Sequence, residues 1–395
     1  MTLRQSDQLR VVACLFFILF VGVADNQVLS PLLPAIRMQF GRSVSEMGFL
    51  FTGYAFSAGL SVLVWGPISD AFGRKRGLLS GLMIFCAGSC ISYLSAGFYM
   101  LLGGRVLTGM GASMLSLNTI SYAADFFAYE NRGWAMGSIF SSYFAALILG
   151  VPLGSWMGDR FGWNCVFGTM GAIALVLFLF VHFLLRDLPR NAAVLKGISA
   201  VELIRRYAGF LRVPGAPGAL MSSLCASAGT MGFLAFFGEW LHSAFGIPGS
   251  RVGMVFLIAG GAALLASPLA GSIADRIGKR LQFVISSIAL AVLLIILPGL
   301  QWGNSMFLVF GLLSLSAAFR QGPMEAVMTE IVPSGARGSF VALKNSFSQL
   351  GIGMATLVSG FVFGARGYGG VCLIGAVFCL LAGVAMLFTY KKQNL

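Results

Sequence analysis

The sequence predicts an all-α membrane protein of twelve transmembrane helices in two pseudo-symmetric six-helix bundles. Three observations predict it. Apolar runs recur along nearly all 395 residues, only 10% of residues are charged, and the pattern of the first half returns 205 positions later. About 20 apolar residues cross roughly 30 Å of hydrocarbon as a helix, whereas soluble domains carry about 25% charged residues. Glycine, at 52 residues, is about twice as frequent as usual. In lipid, small residues let helix backbones approach where no hydrophobic drive pairs them.

The spans read, in order, 11–36, 47–71, 78–96, 99–124, 134–158 and 163–185, then 216–242, 250–274, 282–300, 304–330, 338–364 and 369–390. The first is long, carries Asp25 and lacks a small-residue cleavage site, so it reads as a true span and not a signal peptide. The second ends in GPISDAFGRKR and the eighth in GSIADRIGKR. Glu239, Trp240 and His242 close the seventh, where an aromatic and polar belt is expected. Gly322-Pro323 should kink or break the tenth. The chain divides into an amino-terminal bundle, 1–187, a linker, 188–214, and a carboxy-terminal bundle, 215–395. Within the linker, 198–211 alternates apolar and basic residues at helical spacing, which suits a helix lying on the membrane surface or an ordinary solvated linker.

Charge sets the topology. With the amino terminus on the cytoplasmic side, 18 of the 26 Lys and Arg fall on that side, including the clusters at 74–76 and 276–280. Arg37, Arg42, Arg160, Arg251 and Arg366 fall on the other, and Arg105, Arg320 and Lys344 lie within spans. The positive-inside rule then places both termini in the cytoplasm, and the formal charge of +13 is a topology signal, not a nucleic-acid one. Seven scattered Cys without CxxC spacing argue for small buried hydrophobes and against disulfides or metal. No nucleotide cradle, catalytic triad or metal spacing occurs, so the chain reads as neither an enzyme nor a cofactor binder.

One offset, 205, relates Gly48 to Gly253, Gly66 to Gly271, Asp70 to Asp275, Gly73 to Gly278, Asp125 to Glu330 and Arg132-Gly133 to Arg337-Gly338. Two parallel halves of six spans, with a substrate site at mid-depth between them, is a transporter architecture. These motifs also carry a family resemblance. GPISDAFGRKR resembles the loop motif between spans two and three of the major facilitator superfamily. RVLTGMGAS in span four, ILGVPLGSWMGDRFGW in span five and DNQVLSPLLPAI in span one resemble motifs of its twelve-span drug/proton antiporters.

The resemblance implies a latch on the cytoplasmic face, closed when the cavity faces outward. Asp70 would meet the amino end of span eleven, Gly73 would allow the turn, and Arg74 would reach Asp125. In the second copy, Asp275 with Gly278 would meet span five, and Lys279 or Arg280 would reach Glu330. The alternative is that these residues only fix topology. Gly150, Pro152 and Gly154 would form a helix-packing motif, and Arg105 would take part in proton coupling.

Intramembrane charges are functional candidates by default. Asp25 and Arg105 lie at similar depth, so burial opposes the carboxylate's charge while the arginine favours it. They read as the proton-coupling pair or as a structural ion pair. Glu325 and Lys344 are placed to pair between spans ten and eleven. Asn26, Tyr54, Tyr143 and Arg320 are candidate cavity residues, Arg320 facing the cavity to meet an anion. The expected function is a proton-coupled secondary transporter, by analogy an exporter of small amphipathic molecules, monomeric and in a bacterial inner membrane. The alternatives are a lysophospholipid or organic-anion transporter, or a receptor that keeps the scaffold without cycling. Its partners are lipid, a small-molecule substrate and protons.

Overall fold

The computed structural model describes residues 5–188, 205, 207–333 and 337–389. Among these, helices alternate with short turns and no strand occurs. The helices are α1 (Gln5–Phe40), α2 (Val44–Phe72), α3 (Arg74–Tyr93), α4 (Phe98–Phe126), α5 (Asn131–Phe161), α6 (Trp163–Leu184), α7 (Ala216–Phe245), α8 (Gly249–Ile277), α9 (Lys279–Gly299) and α10 (Asn304–Ile331). Arg337–Leu387 forms one helical run of 51 residues, turned at Gly367 with φ 67° and ψ −170°. A positive φ that an L side chain avoids divides it into α11 (337–366) and α12 (368–387), so twelve spans result. Most of the expected linker helix lies outside the described residues; the chain is helical at 207–210.

Local chemistry explains the boundaries. Ser43 caps α2 by accepting the Glu46 N–H, and Glu46 accepts the Ser43 N–H in return, the reciprocal capping box. Pro152 has no N–H and its ring crowds the carbonyl four residues back. Accordingly, α5 widens into a π turn at Ala146–Gly150 just before it. Pro323 behaves differently from expectation: α10 runs through it without a break. The Phe319 carbonyl that the proline leaves free accepts Gln282 Nε2 at 2.9 Å. A side chain from α9 thereby does the work of the missing helical bond. The interrupted helix on that half is instead α7, broken at Phe236 (φ −101°, ψ 4°).

The two faces of the molecule differ. One, the basic face, carries Arg74–Arg76 and Arg276–Arg280; α1 begins there and α12 ends there. On the opposite face the halves are sewn together. Ser45 Oγ donates to the Gly360 carbonyl at 3.0 Å and Thr52 Oγ1 to Gly353 at 3.2 Å, joining α2 to α11. A Cβ on Gly253 would lie 2.9 Å from Pro152 Cα, and one on Gly260 2.8 Å from Leu147 Cβ, so α8 and α5 touch at backbone distance. These two seams are related by the 205 offset: Gly48 meets Gly360 as Gly253 meets Ser155. Toward the basic face the same helices part. A Cβ on Gly133, Gly137, Gly271, Gly278 or Gly338 would meet nothing within 4 Å. The two halves are therefore joined at backbone distance on the far face, and these five positions make no such contact on the basic one.

Candidate functional site

Asp25 and Arg105 meet inside the amino-terminal half. Arg105 Nη1 donates to Asp25 Oδ2 at 2.7 Å, and both side chains are 0% exposed. Gly109 lets α4 pack directly on the α2 backbone at Tyr54. That contact sets the Tyr54 ring 4.7 Å from the Arg105 guanidinium, with Phe167 of α6 at 5.5 Å. Desolvated cation–π contacts of this kind are worth about 2 kcal/mol. Tyr54 was expected on the cavity wall; it is buried instead, as the floor beneath Arg105, and its hydroxyl donates to the Gly22 carbonyl at 3.4 Å. The pair is incompletely satisfied among the described residues, since Asp25 Oδ1 and Arg105 Nε and Nη2 are buried without partners. Two charges poised in low dielectric with spare donors and an acceptor can be reset by a single proton.

Helical geometry turns the next two residues of α1 the other way. Asn26 and Gln27 line a pocket between the halves with Ser30, Phe51, Met231, Leu234, Ala235, Ile352 and Thr356. Its volume is about 10 Å³, room for about one water. The lining is amphipathic: amides and hydroxyls from α1 and α11, apolar groups from α2 and α7. Just beyond it, Ser30 Oγ donates to the Leu234 carbonyl at 2.6 Å, an acceptor next to the break in α7. Still further out, Arg37 Nε lies 2.9 Å from Glu239 Oε1 across the two halves. The contact is a charge pair without hydrogen-bond alignment, because Nε has no aligned acceptor. Gln27, Ser30, Thr356 and the Arg37–Glu239 pair were not anticipated. The polar residues within a first span were the available signal for two of them.

In the carboxy-terminal half, Lys344 Nζ donates to Glu325 Oε1 at 2.6 Å, the expected pair between α10 and α11. Lys344 is 7% exposed and Glu325 41%, so the carboxylate is the wetted member. Tyr143 of α5, 39% exposed, stands within electrostatic reach of Glu325 in the opposite half. Arg320 differs from expectation. It is buried and meets neutral groups, with Nη2 donating to the Ala226 carbonyl at 2.9 Å and to Thr230 Oγ1 at 2.5 Å, and Phe283 5.9 Å away. Thr230 is the residue that answers Asp25 at the 205 offset. Each half thus aims an arginine at the same place on its first helix, with a carboxylate there in one half only.

At the basic face, Arg74 Nε bonds Asp125 Oδ2 at 3.2 Å, and Lys279 pairs with Glu330. Both pairs lie within a single half, so they seat each loop on its own bundle and do not bridge the two. The Asp70 side chain lies outside what the structure describes. Asp275 is exposed and, among the described residues, has no hydrogen bond or ion pair; the expected contact with the start of α5 is not made in this state. In the span-five motif, Gly150, Gly154 and Gly158 lie against Ala24, Val28 and Leu32 of α1, a ladder at four-residue spacing. Pro152 faces Gly253 across the seam.

Comparisons with known proteins bear on the family and the fold. The sequence model of the Major Facilitator Superfamily matches residues 15–238 and 219–394. The uncharacterized MFS-type transporter YwfA of Bacillus subtilis (strain 168) is 30% identical over 386 residues, covering 95% of this chain and 90% of that protein. The cis,cis-muconate transport protein of Acinetobacter baylyi is 25% identical over 399 residues, covering 96% and 93%. The crystal structure of the human organic anion transporter MFSD10 (TETRAN) superposes with a TM-score of 0.73 at 19% identity, over 96% of this chain and 99% of that one, a likeness of fold.

Proposed function

This chain belongs to the major facilitator superfamily and is a multi-pass membrane transporter of small molecules, not an enzyme; on that premise we propose that it works by proton-coupled alternating access. The observation that carries the reading is the fully buried Asp25–Arg105 pair with unpaired polar atoms on both members. It is joined through consecutive residues of α1 to the interdomain pocket at Asn26 and Gln27. Neutralising Asp25 would free Arg105 and change how α1 packs on α4. The same helix carries Ser30, five residues or about 7.5 Å along the axis, which bonds α7 at the far face. One helix therefore links proton, cargo and gate.

The basic face is the cytoplasmic one in this reading, with both termini there, and the structure is the inward-open state of a monomer. The amphipathic lining suits a small molecule with an apolar body and a polar head. The antiporter mode, and export with it, is what the span-five motif implies by family analogy, and the Bacillus subtilis relative supports a bacterial inner membrane. A second reading, an organic-anion cargo, is favoured by Arg320, a buried cation whose partners are all neutral, and by what two of the similar proteins are named for.

The test is transport in proteoliposomes with an imposed pH gradient, offered a lipophilic cation, an aromatic carboxylate and a lysophospholipid. Gradient-dependent movement of at least one is expected. Movement of a solute at a rate indifferent to the gradient would reject proton coupling, and carriage of the cation alone would reject the anion reading.

A further inference from the structure

The turn that closes α2 and α8 occurs a third time, on the opposite face. Asp70-Ala-Phe-Gly73 and Asp275-Arg-Ile-Gly278 have a counterpart in Asp159-Arg-Phe-Gly162, which closes α5. The three glycines share one left-handed conformation: φ 100° and ψ 142° at Gly73, 92° and 136° at Gly278, 92° and 146° at Gly162. Each N–H returns to the carbonyl four residues back at 3.0 Å. The third copy lies 89 residues after the first, and the same step from Asp275 and Gly278 leads to Gly364 and Gly367. There the positive φ persists and the aspartate does not. Three-span units repeated in inverted orientation inside each half produce this relation, and inversion carries a cytoplasmic device to the other side.

Asp159 is engaged where its counterpart is idle. Its Oδ2 accepts the backbone N–H of Ser250 at 2.7 Å, in the first turn of the 29-residue α8, which belongs to the other half. A Cβ on Gly249 would come within 3.0 Å of Asp159 Oδ1 and 2.9 Å of the Pro31 carbonyl. Three helices from both halves therefore meet at Gly249, beside this carboxylate. A carboxylate at a helix amino end meets unpaired N–H groups and the positive end of the dipole. Asp275, in the same turn at the basic face, makes no such contact among the described residues.

We infer that Asp159 is the far-face clasp of the transport cycle. It holds the amino end of α8 to α5 while the cavity is open on the basic face, and it releases α8 when the cavity opens the other way. Its effect on the conformational balance is then opposite in sign to that of Asp70 and Asp275. The inference rests on alternating access alone, and it stands whether or not protons drive the cycle or anions are carried.

Hydrogen–deuterium exchange of the full-length protein in nanodiscs tests it. Asp159→Asn should speed exchange about tenfold in 249–256 and slow it at the basic face, in 129–137 and 271–281. Asp275→Asn should leave 249–256 protected and not slow the basic face. Gly249→Ala, which presses on the carboxylate, should shift both faces in the same direction as Asp159→Asn, and Asp159→Glu should return toward the wild type. A general loss of stability would speed exchange on both faces. That outcome, or unchanged exchange in 249–256, would overturn the inference.

Discussion

Replacing Asp25 by Asn should destabilise the amino-terminal half by about 3 kcal/mol. The perturbation strands Arg105, which is 0% exposed and already has Nε and Nη2 unpaired. Removing one member of a buried ion pair costs about 3–5 kcal/mol, and the lower end applies because the Asn carbonyl can still accept from Nη1. Each 1 kcal/mol moves the melting temperature of a domain near 200 residues by about 2–4 °C, so a fall of roughly 6–12 °C is expected. Thermal unfolding of detergent-purified protein measures it. The double variant Asp25→Asn/Arg105→Gln no longer buries a lone charge and should recover most of the loss. Equal melting temperatures for wild type and Asp25→Asn, or a double variant as unstable as the two singles added together, would refute the reasoning.

Three further outcomes follow from particular contacts. Gly154→Ala places a Cβ 2.6 Å from Val28 Cγ2, a stiff β-branched partner, and should cost about 1–3 kcal/mol by overpacking, read in the same melts. Lys344→Gln leaves Glu325, 41% exposed, without its cation; competition assays should show cationic solutes gaining on anionic ones. Lys279→Ala breaks a pair whose members are 34% and 59% exposed, so the melting midpoint should change by the equivalent of less than about 1 kcal/mol.

What the sequence disclosed depended on whether a partner could be reckoned from depth or repeat. Span number follows from hydropathy, the partners of Asp25 and Lys344 follow from where each charge falls along its helix, and those of Arg74 and Lys279 are what the family resemblance and the repeat imply. Asp159 and Ser250 escaped notice because the acceptor's partner is a backbone N–H, which no side-chain pattern marks. The seams of Gly48 and Gly253 escaped for the same reason: their neighbours are main-chain atoms. Nothing beside Arg320 in sequence could satisfy it, so the sequence alone points it at an anion. A freely accepting carbonyl and a threonine 90 residues away satisfy it instead. At Pro323 the expected break was averted by Gln282 reaching over from α9, a tertiary override of a local rule. The third Asp-x-x-Gly turn was legible all along, since an offset of 89 reveals it.

Proton coupling through Asp25 is tested most directly by separating exchange from accumulation in proteoliposomes. Wild-type and Asp25→Asn protein would be assayed below the variant's melting point, using whichever of the three offered solutes the wild type moves. Asp25→Asn should swap labelled for unlabelled solute across the bilayer at equal pH, yet fail to concentrate it when a pH gradient is imposed. Gradient-driven accumulation by Asp25→Asn at the wild-type level would contradict the assignment.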